Sequence, residues 1–352
     1  MGSRRTCFFA FNNEARIRNK VRLQKIRNPQ KEDGAAMSDL DTTPYEPEQN
    51  PFPAPDLNSP QVGHITDEPV ELFHSFSQPT IAPPTRIPHL GHLALLAAFL
   101  LFGAVCMTVL MLVAMYFHLE GVSTLDQISS KIHYLLGSEA ILYLVTFALG
   151  FFLFPLLWKK SFFAGIHWRG ATALRLGWHL PAIALGCFVL AAIDSWLLPG
   201  PDHSPIEEFF RSPGAAWTMF FFGVTFAPFF EEIFFRGFLL PSLATAWDWA
   251  VEKNTGRPAR PLDANGHPQW SLVAMLIASI LTSLPFALLH AEQQGHSLGP
   301  FLLLVTVSMI LCAVRLKTRS LAASTLVHAC YNFLIFSIML ISTGGFRHFD
   351  KM

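Results

Sequence analysis

The stretch LALLAAFLLFGAVCMTVLMLVAMYF, from Leu93 to Phe117, contains no charged side chain. A helix rises 1.5 Å per residue, so about 20 apolar residues cross roughly 30 Å of hydrocarbon. The stretch therefore predicts a transmembrane helix. Six further runs follow it, at Glu139–Trp158, Leu176–Leu198, Ala215–Leu240, Ser271–His290, Pro300–Val314 and Leu321–Ile341. They are too long and too little alternating for barrel strands. Without a closed barrel, only helices satisfy their own backbone groups in lipid. The fold class is all-α, a polytopic transmembrane bundle of about seven spans. Composition agrees: 51% of the 352 residues are hydrophobic, 14% are charged, and 33 are phenylalanine. Membrane lipid is the implied partner. With a formal net charge of zero and no basic stripe interleaved with aromatics, nucleic acid is excluded as a partner.

The region before the first run differs in kind. Met1 to Ala36 is rich in Lys and Arg, and Met37 to Arg86 is rich in proline and acidic residues. Such a composition cannot bury enough apolar surface to fold, so residues 1–86 read as a disordered cytoplasmic tail. Residues 87–214 read as N-terminal transmembrane helices and residues 215–345 as a C-terminal transmembrane core. Orientation follows the basic residues of the short loops. Lys159, Lys160 and Arg169 follow span two, Lys253, Arg257 and Arg260 follow span four, and Arg315, Lys317 and Arg319 separate spans six and seven. The other loops carry Glu120, Asp126, Asp202, Glu207, Glu208 and Glu292, with Lys131 and Arg211. This alternation places the protein in the cell membrane with a cytoplasmic N-terminus. The five cysteines form no ligand spacing and read as small core residues.

A central Asp, Lys or Arg in a span costs roughly 2.5–3.5 kcal/mol on insertion scales. The exceptions here cluster late: Glu231, Glu232 and Arg236 in span four, His290 closing span five, and His328 with Asn332 in span seven. Glu232 and Arg236 stand four apart in the order that favours a helical ion pair. Glu231 points about 100° away and needs a partner from another span. His328 and Asn332 share a face one turn apart. For any single residue of this set, hydrogen-bonded packing between helices is the better account. Two glutamates, an arginine, two histidines and an amide together point to a reaction. Asp194 and Glu139 read instead as groups near span ends, and His296 as a loop histidine.

Peptide hydrolysis needs an activated water, a base, and donors aimed at the oxyanion. Glu231 with His290 can activate the water while His328 and Asn332 stabilise the oxyanion. The same Glu231, His290 and His328 also supply the ligand types of an open catalytic zinc site. Sequence leaves both open, with zinc or no cofactor. There is no HExxH helix. Gly295-His296-Ser297-Leu298-Gly299 matches GxSxG but joins two spans rather than a strand and a helix, so Ser297 is not a nucleophile elbow. Two other function classes compete: a membrane immunity or scaffold protein that keeps the pocket without turnover, and a proton-coupled transporter. The second lacks a two-half repeat of broken helices.

Together, Glu231-Glu232 with Arg236 (EExxxR), Phe286 with His290 (FxxxH) and His328 with Asn332 (HxxxN) resemble the motifs of the CaaX-protease and bacteriocin-processing family, CPBP or Abi. Its relatives include the Ras-converting CaaX prenyl proteases. The resemblance covers roughly Trp217 to Phe336. It implies an intramembrane metalloendopeptidase that processes proteins or peptides, lipidated ones among them. In it Glu231 is catalytic, His290 positions the water, His328 and Asn332 form the oxyanion site, and Glu232, Arg236 and Phe286 support them. Up-and-down threading alone would hold Glu231 and His290 about 10–20 Å apart. They converge if span four runs on through Trp247 and span five continues past His290 toward Gln294, and a bend at Pro285 would also help.

Overall fold

The computed structural model describes residues 86–129, 131–198, 212–263 and 266–347. The tail and the acidic Asp202, Glu207 and Glu208, with Arg211, lie outside these residues. Among the described residues seven helices are long and apolar enough to cross a membrane: α1 Leu90–Tyr116, α2 Ile132–Trp158, α3 His179–Leu197, α4 Pro213–Thr255, α5 Leu272–Ala291, α6 Leu298–Thr318 and α7 Leu321–Ser342. Their order matches the seven runs read from sequence. Large apolar side chains stand open on the outside, including Leu101, Trp196 and Ile341. That surface is tolerable only against lipid or a partner.

Helix ends are set by local chemistry. Ser271 and Ser320 accept hydrogen bonds from the backbone N–H of Ala274 and Ala323 and so cap α5 and α7. α1 packs on α2, α5 lies between α4 and α6, and α7 packs on both α3 and α6. One apolar core joins α3, α6 and α7 through Leu180, Ala184, Leu311 and Val327. A second joins α1, α2 and α4 through Phe99, Phe154, Trp158 and Phe238. Phe154 and Trp158 stack 4.7 Å apart, and Phe238 of α4 lies 4.8 Å from Phe154.

α4 is 43 residues long, well beyond the Ala215–Leu240 run expected from sequence. It is not uniform. Wide π-helical turns at Phe222–Phe226 and Ile233–Leu239 flank the α-helical piece Ala227–Glu232. Prolines explain both. The ring of Pro228 would collide with the carbonyl four residues back in a regular helix, as would that of Pro241, and a widened turn relieves the clash. The first π turn also strands an acceptor. The carbonyl of Gly223 would take its bond from residue 228, which as proline has no N–H. Asn332 Nδ2 of α7 donates to that carbonyl at 2.7 Å. Gly223 also lets α7 close in, because a Cβ there would stand 2.8 Å from Phe336 Cε2.

At one end of the bundle the segments after α2 and α4 meet the ends of α6 and α7. His167, at φ 58°, accepts a hydrogen bond from Leu321 N–H through its carbonyl. Its ring stacks on His267 at 3.7 Å. Burial, reinforced by His267, Arg315, Arg169 and Lys160, pushes the His167 pKa down to about 2. Burial, with Arg315, Arg169 and Arg319, pushes His267 down to about 3, against a bond to the Arg319 backbone that works the other way. Both rings are therefore neutral in the fold. Below pH 6.5 the unfolded chain takes up protons that the folded chain refuses, so stability is lost as pH falls from about 6.5 toward 3. The melting temperature of the detergent-solubilised protein should decline through this window. The decline should be shallower in His267→Phe, which keeps a stacking ring and removes one titration.

Candidate active site

The three motif helices converge. Glu231 stands near the middle of α4, on the α-helical piece between the two π turns, with 13% of its side chain exposed. Its Oε1 lies 3.9 Å from His290 Nε2 of α5, and its Oε2 lies 3.8 Å from His328 Nε2 of α7. Both separations exceed a direct hydrogen bond. The expected 10–20 Å gap is absent: α4 continues through Trp247 to Thr255, the first of the two extensions expected together. α5 instead ends at Ala291 without reaching Gln294, and Pro285 lies inside it.

Neighbouring atoms fix the imidazoles. His290 Nδ1 is 2.8 Å from the carbonyl of Phe286 one turn back. A carbonyl only accepts, so Nδ1 carries the proton and Nε2 faces Glu231. His328 Nδ1 is 3.1 Å from Glu232 Oε1 and donates to it. The Phe286 ring lies 4.8 Å from the His290 ring and 5.8 Å from that of His328, and limits both.

Glu232 and Arg236 form the ion pair expected from their spacing, at 2.7 Å with both side chains wholly buried. Arg236 Nη2 also donates to Ser308 Oγ of α6 at 2.6 Å and to the Ser308 carbonyl at 3.2 Å. Its guanidinium lies 4.6 Å from the centre of the Phe286 ring. The pair thus ties α4 to α6 and, through His328, to α7.

Two cavities share this carboxylate. One, of about 330 Å³, is lined by apolar residues of α1, α2, α4 and α5, such as Leu96, Phe147 and Phe234. The other, of about 450 Å³, is more polar and opens beside His328 and Asn332. Glu231, His290, Gln293 and Glu139 line both. Asn332 keeps one amide N–H on Gly223, leaving its second for the cavity.

Glu139 is the residue that sequence reading missed. Its apolar run starts span two at this residue, whereas α2 begins at Ile132 and carries Glu139 two turns in. Its Oε1 accepts from Tyr143 at 2.8 Å, and Tyr143 stacks on Phe230 beside Glu231 at 5.3 Å. The signal was the helical stretch Ile132–Ser138, whose mixed polarity hid the start of the helix. Asp194 also lines the larger cavity, while His296 sits in the turn after α5. Ser297 stands at the N-cap of α6, as its loop reading requires.

The three candidate zinc ligands face one another, but among the described residues no three His, Cys, Asp or Glu side chains are grouped closely enough to hold a metal ion. Glu231 also divides its two oxygens between the two rings rather than turning one donor edge toward a common point. The residues as placed do not make a zinc centre.

Residues 213–334 match the family model described as type II CAAX prenyl endopeptidase, Rce1-like. No curated protein and no solved structure matches the chain. The matched segment spans α4 to α7 up to just beyond Asn332 and contains all three motifs. Over residues 213–334, the chain is similar to the Rce1-like family of type II CAAX prenyl endopeptidases.

Proposed function

We propose that the chain is an intramembrane endopeptidase that hydrolyses a peptide bond by water activated between Glu231 and His290. The observation that carries this is the Glu231 carboxylate facing Nε2 of His290 at 3.9 Å, beside a cavity about 450 Å³ in volume. A water bridging that spacing donates one proton to the carboxylate and one to the unprotonated Nε2. Its lone pairs are then left for the scissile carbonyl. Glu231 takes the proton as the water attacks and returns it to the leaving amine.

The oxyanion that forms needs donors in a site closed to bulk water. The second amide N–H of Asn332 and, in its doubly protonated form, His328 Nε2–H are the donors placed on the cavity wall. Glu232 holds His328 through Nδ1, so His328 turns only with the α4–α6 ion pair. The substrate is a protein or peptide of the CAAX type, carrying a lipid where the apolar cavity receives one. Chemistry of this kind draws only on protein groups and water.

The test is cleavage of a quenched peptide library by purified protein. His290→Gln should lower kcat by about 10²-fold, in line with loss of one proton-transfer partner, with little change in melting temperature. Chelator should leave the wild type unchanged. Activity that His290→Gln does not affect would remove His290 from the reaction. Loss with chelator, restored by zinc, would replace the metal-free route with a metal-assisted one.

A further inference from the structure

Arg315 is a buried cation without a carboxylate. Its side chain is 1% exposed, three residues before the end of α6. Nε and Nη1 meet no acceptor, and Nη2 has only a long contact of 3.5 Å to the Ile166 carbonyl. Beside it, His167 Nδ1 and His267 Nε2 are also buried without partners. An unpaired buried guanidinium is costly, and removing it from water is repaid only by a close anion with good hydrogen bonds.

The surroundings add positive charge rather than neutralising it. Arg169 is half-buried and within electrostatic reach of Arg315 and both histidines. Lys160 and Arg319 lie at the exposed rim. Lys160 Nζ leans over Gly266, at 3.1 Å from where a Cβ would stand. The acids near this end are each paired with another cation: Asp263 with Arg319, Asp248 with Arg260 and Glu252 with Arg86. Arg315, Arg169 and Lys160 therefore form an excess of positive charge graded from core to surface. Glu232, the carboxylate that Arg315 feels, is held by Arg236.

We propose that this cluster at the ends of α2, α4, α6 and α7 is a binding site for a phosphate group, carried by an anionic lipid headgroup or by a soluble phosphate. A phosphate supplies two charges and several strong acceptor oxygens, enough to answer the unpartnered donors of Arg315 together with Arg169. The cluster lies where spans end, and basic pockets between spans at headgroup depth suit anionic lipids. A group reaching Arg315 would enter from the exposed side, past Lys160 and Arg319. Ser308, which holds Arg236, lies on the same helix two turns from Arg315, so an anion here also bears on the helix that anchors the Glu232–Arg236 ion pair.

The full-length protein would be reconstituted in phosphatidylcholine vesicles alone, with phosphatidic acid, or with inorganic phosphate added, and its melting temperature followed. Wild type should gain about 5 °C with phosphatidic acid. Arg315→Met should lose that gain and, in phosphatidylcholine alone, melt above wild type because the unpaired charge is gone. Should Arg315→Met fail to fold, Arg169→Gln serves, with a reduced gain and an unchanged melting temperature in phosphatidylcholine. Lys253→Gln, outside the cluster, should respond like wild type. A gain with inorganic phosphate equal to that with phosphatidic acid assigns the site to soluble phosphates, and a gain with the lipid alone assigns it to a headgroup. No gain in wild type, or equal gains in wild type, Arg315→Met and Arg169→Gln, would overturn the proposal.

Discussion

Glu231→Gln should lower kcat by about 10³–10⁴-fold while leaving the melting temperature within a degree or two of wild type. The size follows from what the carboxylate does in the proposed reaction. It takes the proton from the attacking water and delivers it to the leaving amine, and general acid–base contributions run to about 10²–10⁴-fold. Glutamine keeps the shape and can still hold a water, but it presents an amide in place of a base. The small effect on stability follows from the surroundings. Glu231 makes no direct hydrogen bond to either imidazole, at 3.9 and 3.8 Å, and its side chain borders two cavities. Removing its charge therefore breaks no packed contact. The measurements are single-turnover cleavage and thermal unfolding of the same preparation. Equal cleavage by Glu231→Gln and wild type would mean that the reacting water is held elsewhere. A lost fold would mean that the carboxylate is structural.

The bundle was legible because lipid imposes one requirement, an unbroken apolar helix of about 20 residues, and seven stretches meet it. The candidate site was legible for a related reason. Polar side chains are costly in a span, so Glu231, Glu232, Arg236, His290, His328 and Asn332 stood out against their neighbours. Depth was harder to read. Helix rise alone kept Glu231 and His290 apart, because the apolar run of α4 stops near Leu240 while the helix continues to Thr255. The polar residues of its last turns hid that continuation. Glu139 was misread for the mirror reason, since polar residues at the start of α2 made an interior carboxylate look terminal. Nor could sequence disclose the π turns. They arise from Pro228 and Pro241 within a helix that tertiary packing keeps continuous, and proline in a sequence more often reads as an end than as a widened turn. The Asn332 bond to the Gly223 carbonyl depends on that turn and was equally hidden.

Arg236→Met should destabilise the protein by about 3–5 kcal/mol, the cost of leaving one member of a buried ion pair without its partner. For a chain of this size that is a fall of about 10 °C or more in melting temperature. Glu232 would be left wholly buried with only neutral partners such as the His328 Nδ1–H and the Ser324 hydroxyl, and Ser308 of α6 would lose the guanidinium that binds it to α4. The double variant Glu232→Gln/Arg236→Met should recover most of the loss, because exchanging both charges for neutral groups of similar volume removes the unpaired carboxylate. A double-mutant cycle by thermal unfolding reads this directly: a coupling of about 2–3 kcal/mol is expected between positions in direct contact. Activity should separate from stability in the double variant. With glutamine at 232 the charged acceptor of His328 is gone, so the ring is free to turn its Nε2 away from Glu231, and kcat should stay low although the fold is restored. Recovery of both together would show that the ion pair only holds α4 to α6. Recovery of stability alone would place Glu232 and Arg236 in the reaction as the groups that position His328.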